Sequence, residues 1–161
     1  MSSVPSLGPR GEGWVVLQFV CLGLVIVAGL FAPGHADATV TTLAFVAGAA
    51  AIVLGGSLAM AGVIALQRAS ALTAVPSPRD LGELVVRGPY RLVRHPIYAG
   101  LIVAAFGWAV AWLSGPAALA ALLLVVALDL KRRREEAWLI ERFEGYRAYR
   151  ARTKALIPFV Y

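Results

Sequence analysis

Residues 14–32, WVVLQFVCLGLVIVAGLFA, contain no charged side chain, and three further apolar runs follow at about 40–66, 97–113 and 116–130. About 20 apolar residues suffice to cross a hydrocarbon core of roughly 30 Å as a helix. No water reaches backbone amides there, so a lone apolar run of this kind must be helical. The chain of 161 residues is 60% hydrophobic and 15% charged, with a mean hydropathy of +0.76. That lies outside the range of soluble domains. The sequence predicts an all-α, polytopic membrane protein with about four transmembrane helices and a cytoplasmic C-terminal helical extension.

Breakers set the boundaries. "PGHADAT" (33–39) reads as a loop, and "VPSPRD" with "RGPY" rules out a continuous helix across 67–96. "SGP" (114–116) predicts a tight turn, with Pro116 as the first residue of the next helix. The third and fourth runs are short for spanning, so tilting or snorkelling at their ends is expected. From Lys131 the helical pattern continues through "KRRREEAWLIERFEGYRAYRARTK", a long helix leaving the membrane, with Gly145 as the place for a bend. The chain thus divides into two N-terminal spans (1–66) and a C-terminal region (67–161). In the second run Gly55 and Ala59 form a small-xxx-small pair that admits a close neighbouring helix. That neighbour belongs to the same chain or to a homodimer partner.

Charge sets the orientation. All 15 Lys and Arg fall at Arg10, in the link (Arg68, Arg79, Arg87, Arg91, Arg94) or from Lys131 onward. With four crossings these lie on one side, which the positive-inside rule makes cytoplasmic, both termini included. The net charge of +6 therefore reads as a topology signal, not as a nucleic-acid surface. A signal peptide cleaved after "ADA" (36–38) is the rival reading. The long apolar run and Glu12 argue against it. Cys21 lies in an apolar run and reads as a core or lipid-facing residue, and the two histidines form no cluster with metal-ligand spacing.

The chemistry concentrates in "RGPYRLVRHPIYAG" (87–100) and "EEAWL" (135–139). Pro96 should start the third helix, leaving Arg94 and His95 just outside and Tyr98 in the first turn. A helix start of this kind suits a carboxylate or phosphate, and Gly100 permits close backbone approach to a ligand or a neighbouring helix. The short "SGP" turn should bring Glu135 and Glu136 close to Arg94–Tyr98. On a continuous helix Glu135, Leu139, Arg142 and Tyr146 share one face, with Glu136, Phe143 and Tyr149 nearby. The bland alternative makes the arginines lipid-phosphate anchors and the glutamates solvated partners of Lys131 and Arg132. Asp129 reads as a partner for Arg132 or Arg133.

"GPYRLVRHPIYAG" followed by "EEAWLIERFEGYRAYRARTKALIPF" resembles the isoprenylcysteine carboxyl methyltransferase and phospholipid methyltransferase family of integral membrane enzymes. The resemblance covers about residues 84–159, and the first two spans match only in being hydrophobic. "FEGY" is one residue shorter than in many members, with Glu144 where a glycine would stand. The family implies S-adenosylmethionine as cofactor and a lipid-like or apolar acceptor, methylated at a carboxylate oxygen or an amine. Carried onto these positions, Arg94 and the helix start at His95–Tyr98 suit the cofactor's carboxylate. Glu135 or Glu136 suits its ribose diol or ammonium. Tyr98 and Tyr146 suit the sulfonium by cation–π contact. Tyr90, Leu139 and Pro158 would wall the adenine, with Gly100 giving close approach. Arg94, or a basic residue at 131–134, would hold a carboxylate acceptor, and Glu135 would be the base for an amine.

Two rivals remain at this stage. NADPH-dependent sterol-reductase-type membrane enzymes carry a similar Arg-His-Pro-x-Tyr-x-Gly motif, but often place an acidic residue where this chain has Leu101. A non-enzymatic membrane module would use the small-residue helices for assembly and the basic tail for anionic membrane lipids.

Overall fold

The computed structural model describes residues 4, 5, 7–73, 75 and 84–157. Among these the chain folds as five α-helices: α1 (Glu12–Phe31), α2 (Ala38–Arg68), α3 (Pro96–Ala111), α4 (Gly115–Arg142) and α5 (Tyr146–Arg152). A 3-10 turn covers Gly88–Arg91, and the one β-type pairing among the described residues joins Val93 to Lys154.

Local chemistry explains where the helices start. Asp37 caps α2, accepting from the N–H of Thr39 at 2.9 Å and of Val40 at 3.0 Å, so "ADAT" is a helix start. Pro96 opens α3, where its missing N–H costs nothing. Ser114 caps α4 by accepting from the Ala117 N–H at 3.2 Å, and its hydroxyl donates to the Ala32 carbonyl at 2.7 Å. One serine thus starts a helix and ties the α3–α4 turn to the end of α1. The helix begins at Gly115, one residue ahead of Pro116.

The long C-terminal helix expected from the sequence is instead two helices. It stops at Arg142, Phe143 is extended, and α5 restarts after Gly145. Tyr146 therefore reaches the interior through a turn, and the shortened "FEGY" leaves no helical phase to preserve.

Among the described residues two helices, α1 and α2, are long and apolar enough to cross a membrane. Only 22% and 11% of their most apolar windows are buried in the protein, so they are not the core helices of a soluble domain. Val16, Val20, Leu43, Val53 and Leu54 all face outward, and apolar surface on this scale calls for lipid. The third helix is apolar but only 16 residues long. On α4 the apolar run ends at Asp129, which pairs with both Arg132 (2.6 Å) and Arg133 (2.7 Å).

The helices pack as one unit. On one side, Cys21 and Val25 of α1 join Ala105 of α3 and Ala120, Ala121, Leu124 and Leu128 of α4 in a buried core. On the other, α2 and α3 meet backbone to backbone. A Cβ on Gly55 would lie 2.7 Å from the Ala104 nitrogen, and one on Gly107 would lie 2.8 Å from the Gly48 carbonyl. The small-residue face that a homodimer would use is therefore taken by α3 of the same chain.

Candidate functional site

A cavity of about 510 Å³ opens where the basic ends of the helices converge, and every helix contributes to its wall. The volume falls in the range of small-molecule sites. Tyr90, Arg94, His95, Tyr98, Glu135, Leu139 and Tyr146 line it; Gly100 and Glu136 do not. Pro158 lies outside the described residues.

The two adjacent glutamates have different surroundings. Glu135 faces the cavity with its side chain 25% exposed, accepting a hydrogen bond from the Tyr98 hydroxyl at 2.8 Å. Glu136 is buried in a cluster of cationic groups. Arg94 Nε lies 3.0 Å from Glu136 Oε1, Arg150 Nε 3.2 Å from Oε2, and Arg132 Nη1 3.6 Å from Oε1. His95 sits between the glutamates, with Nε2 3.2 Å from Glu136 and Nδ1 3.7 Å from Glu135. Burial alone would raise the Glu136 carboxyl, but the hydrogen bonds and charges of His95 and Arg94 outweigh it and hold the group down to about 2.

Arg94 is engaged with the C-terminal tail. Besides Glu136, its guanidinium donates to the backbone carbonyls of Arg150 and Thr153. The backbone N–H groups of Arg94 and His95 donate to Lys154 and Ala155, at 2.8 and 3.0 Å. Tyr149 adds a bond from its hydroxyl to the Tyr90 carbonyl at 2.6 Å, and Ala155 and Leu156 bury against Ala99. The tail after α5 is thereby laced onto the start of α3.

The aromatic walls stay neutral. Burial, with the Glu135 charge, pushes the Tyr90 phenol well above its ordinary range; burial, with the Glu136 and Glu135 charges, does the same to Tyr146. Raised in this way, both phenols keep their protons at neutral pH. Tyr146 is 1% exposed, and its hydroxyl has no hydrogen-bond partner among the described residues. A buried hydroxyl left this way costs stability unless a ligand or water satisfies it.

Gly100 belongs to the packing. It faces α2, where an added Cβ would lie 2.7 Å from the Ala59 nitrogen. The sequence reading missed Gln18, which reaches the cavity from α1 and accepts a hydrogen bond from Lys131 at 2.7 Å. Its signal was present: a lone amide in an otherwise apolar span. Tyr149 and Phe143 also line the cavity and had been placed only nearby.

Residues 43–145 match the phospholipid methyltransferase family. This chain belongs to that family. The match runs from within α2 to Gly145, well over half of the chain, and so reaches further toward the N-terminus than the quoted motifs. It takes in every cavity-lining element except α1, the stretch before it, and the tail helix α5. No curated protein matches the chain at significant similarity. As a member of a membrane methyltransferase family, the protein presents its cavity beside two helices whose apolar faces need lipid.

Proposed function

We propose that this methyltransferase is an integral membrane enzyme of four spans, α1–α4, that takes S-adenosylmethionine and methylates a lipid-like or apolar acceptor. The link, α5 and both termini lie on the cytoplasmic side, because every Lys and Arg of the chain falls there. A cavity at that boundary admits a polar cofactor from water and an apolar acceptor from the bilayer.

The observation that carries the cofactor reading is the pairing of Glu135 with Tyr146 in one cavity. A partly exposed carboxylate suits the cofactor's ammonium or ribose diol. The Tyr146 hydroxyl, without a partner among the described residues, offers a buried hydrogen bond that a bound cofactor would complete. Tyr90 and Leu139 offer flat and apolar walls for adenine, so the residues present fit the cofactor. When bound, it supplies a methyl group activated on a sulfonium. The protein's contribution is to hold donor and acceptor in line and to keep water out. Glu136 organises the site from behind, and Arg94 acts as a positioning residue that fastens the tail. Leu139 and Tyr98 shape the wall beside Glu135.

Two substitutions test this on purified protein in detergent. Glu135→Gln should weaken S-adenosylhomocysteine binding by at least about tenfold, the loss expected for one charge-assisted contact, while leaving the melting temperature nearly unchanged. Tyr146→Phe should leave the unliganded protein as stable or slightly more so, since an unsatisfied hydroxyl is removed, yet weaken the ligand by roughly threefold to tenfold. Binding undiminished in Glu135→Gln would sink the placement of the cofactor, and no binding by the unaltered protein would sink the methyl-transfer reading.

A further inference from the structure

The pairing of Val93 with Lys154 lies where the link meets the first turn of α3. His95, just before Pro96, donates its backbone N–H to Ala155 at 3.0 Å, so the tail is held level with the start of α3. Val93, Ala155 and Leu156 are buried by this pairing, whereas two large apolar side chains on the same segments are turned out. Leu92 is 60% exposed and Ile157 55%. Arg91, Arg152 and Lys154 are exposed around them. Arg152 Nε donates to the Ala148 carbonyl one turn back. None of the three cations has an ion-pair partner among the described residues. Glu136, the buried anion nearby, is already shared by Arg94, Arg132, Arg150 and His95.

A topology signal needs basic residues on one side of the membrane, without fixed positions or apolar neighbours. Here the cations are set on hydrogen-bonded backbone, beside leucine and isoleucine that water would penalise. That combination suits a membrane interface, where apolar tips enter the headgroup boundary and cations meet lipid phosphates. We infer that the paired segments, residues 91–93 and 152–157, form a docking surface for the anionic headgroups of the adjoining leaflet. This rests on the reading of α3 as a span, and it does not involve the methyl donor. Helix α5 ends in this surface and carries Tyr146 and Tyr149 to the cavity wall, so an anionic leaflet steadies that wall.

The test places the full chain in nanodiscs of phosphatidylcholine alone or of an equal mixture with phosphatidylglycerol. Amide hydrogen exchange across residues 146–157 should slow by at least about fivefold in the anionic discs, the effect of one basic residue at such a surface. Salt at about 0.5 M should remove the difference by screening. Arg91→Gln, Arg152→Gln and Lys154→Gln together should abolish the response to anionic lipid, with exchange in phosphatidylcholine as in the unaltered protein. Should that triple variant fail to fold, the salt response of the unaltered protein decides. Equal exchange in the two discs, or a full response in the triple variant, overturns the proposal. Soluble glycerol phosphate that slows exchange equally in phosphatidylcholine discs also overturns it, since the site would then take a free anion. No methyl donor is present, so a failure here and a failure of the methyl-transfer reading are separate results.

Discussion

Glu136→Ala should lower the melting temperature of the detergent-solubilised protein by about 10 °C, from a loss on the order of 3–5 kcal/mol. The carboxylate is the shared partner of Arg94, Arg132, Arg150 and His95. Two of those arginine side chains are only 8% exposed, so removing the anion leaves buried cations facing each other. Arg94 also carries the carbonyls of Arg150 and Thr153, so the tail should come away with it. Faster proteolysis after α5 would report that release. Glu135→Gln, one residue earlier, should show almost none of this, because its side chain faces the cavity. Equal destabilisation by the two changes would refute the separation of their roles.

The same cluster sets an acid limit. In the folded protein the Glu136 carboxyl sits at about 2, below its ordinary value of 4.5. A folded-state value lowered in this way means that its stabilisation is complete above about 4.5 and is lost as pH falls toward 2. The amount at stake is about 3 kcal/mol. Melting temperature against pH should therefore drop across that window, and Glu136→Gln should flatten the drop.

Gly55→Leu should prevent folding or leave only aggregated protein, because its side chain has no space to enter. A Cβ at this position already lies 2.5 Å from the Gly100 carbonyl and 2.7 Å from the Ala104 nitrogen. Both are backbone atoms of α3, so relief requires the helices to separate along their whole contact. Even single-methylene overpacking costs about 1–3 kcal/mol, and leucine adds far more volume. Gly56→Leu is the matched control: nothing lies within 4 Å of its Cβ position, and it should fold normally. Monodisperse yield on size exclusion separates the two. Equal behaviour would show that α2 and α3 do not pack as described.

Much of this architecture was legible in the residues. Pro96 opens α3 because a proline disfavours helix before itself and tolerates its first position. Asp37 and Ser114 start α2 and α4 by capping free backbone N–H groups. The nearness of "EEAWL" to "RHPIY" followed from the short turn between two apolar helices. The break after Arg142 was less legible. No proline or glycine stands at Phe143, and the chain leaves the helix there while its tail is held against Val93, Arg94 and His95.

The sequence by itself determined the apolar helices, the clustering of basic residues at one end of them and the pair of motifs that resemble the family. These depend on run length, charge position and capping, which act within a few residues. Only the tertiary structure decided between Glu135 and Glu136. Neighbours on a helix point about 100° apart, so one faces the cavity while the other meets Arg94, His95 and Arg150 from other parts of the chain as well as Arg132 on its own helix. It also chose the α2 contact over a ligand for Gly100, committed Arg94 to the tail, and brought Gln18 to Lys131 from 113 residues away. Such contacts depend on how whole helices pack, and no local pattern encodes them.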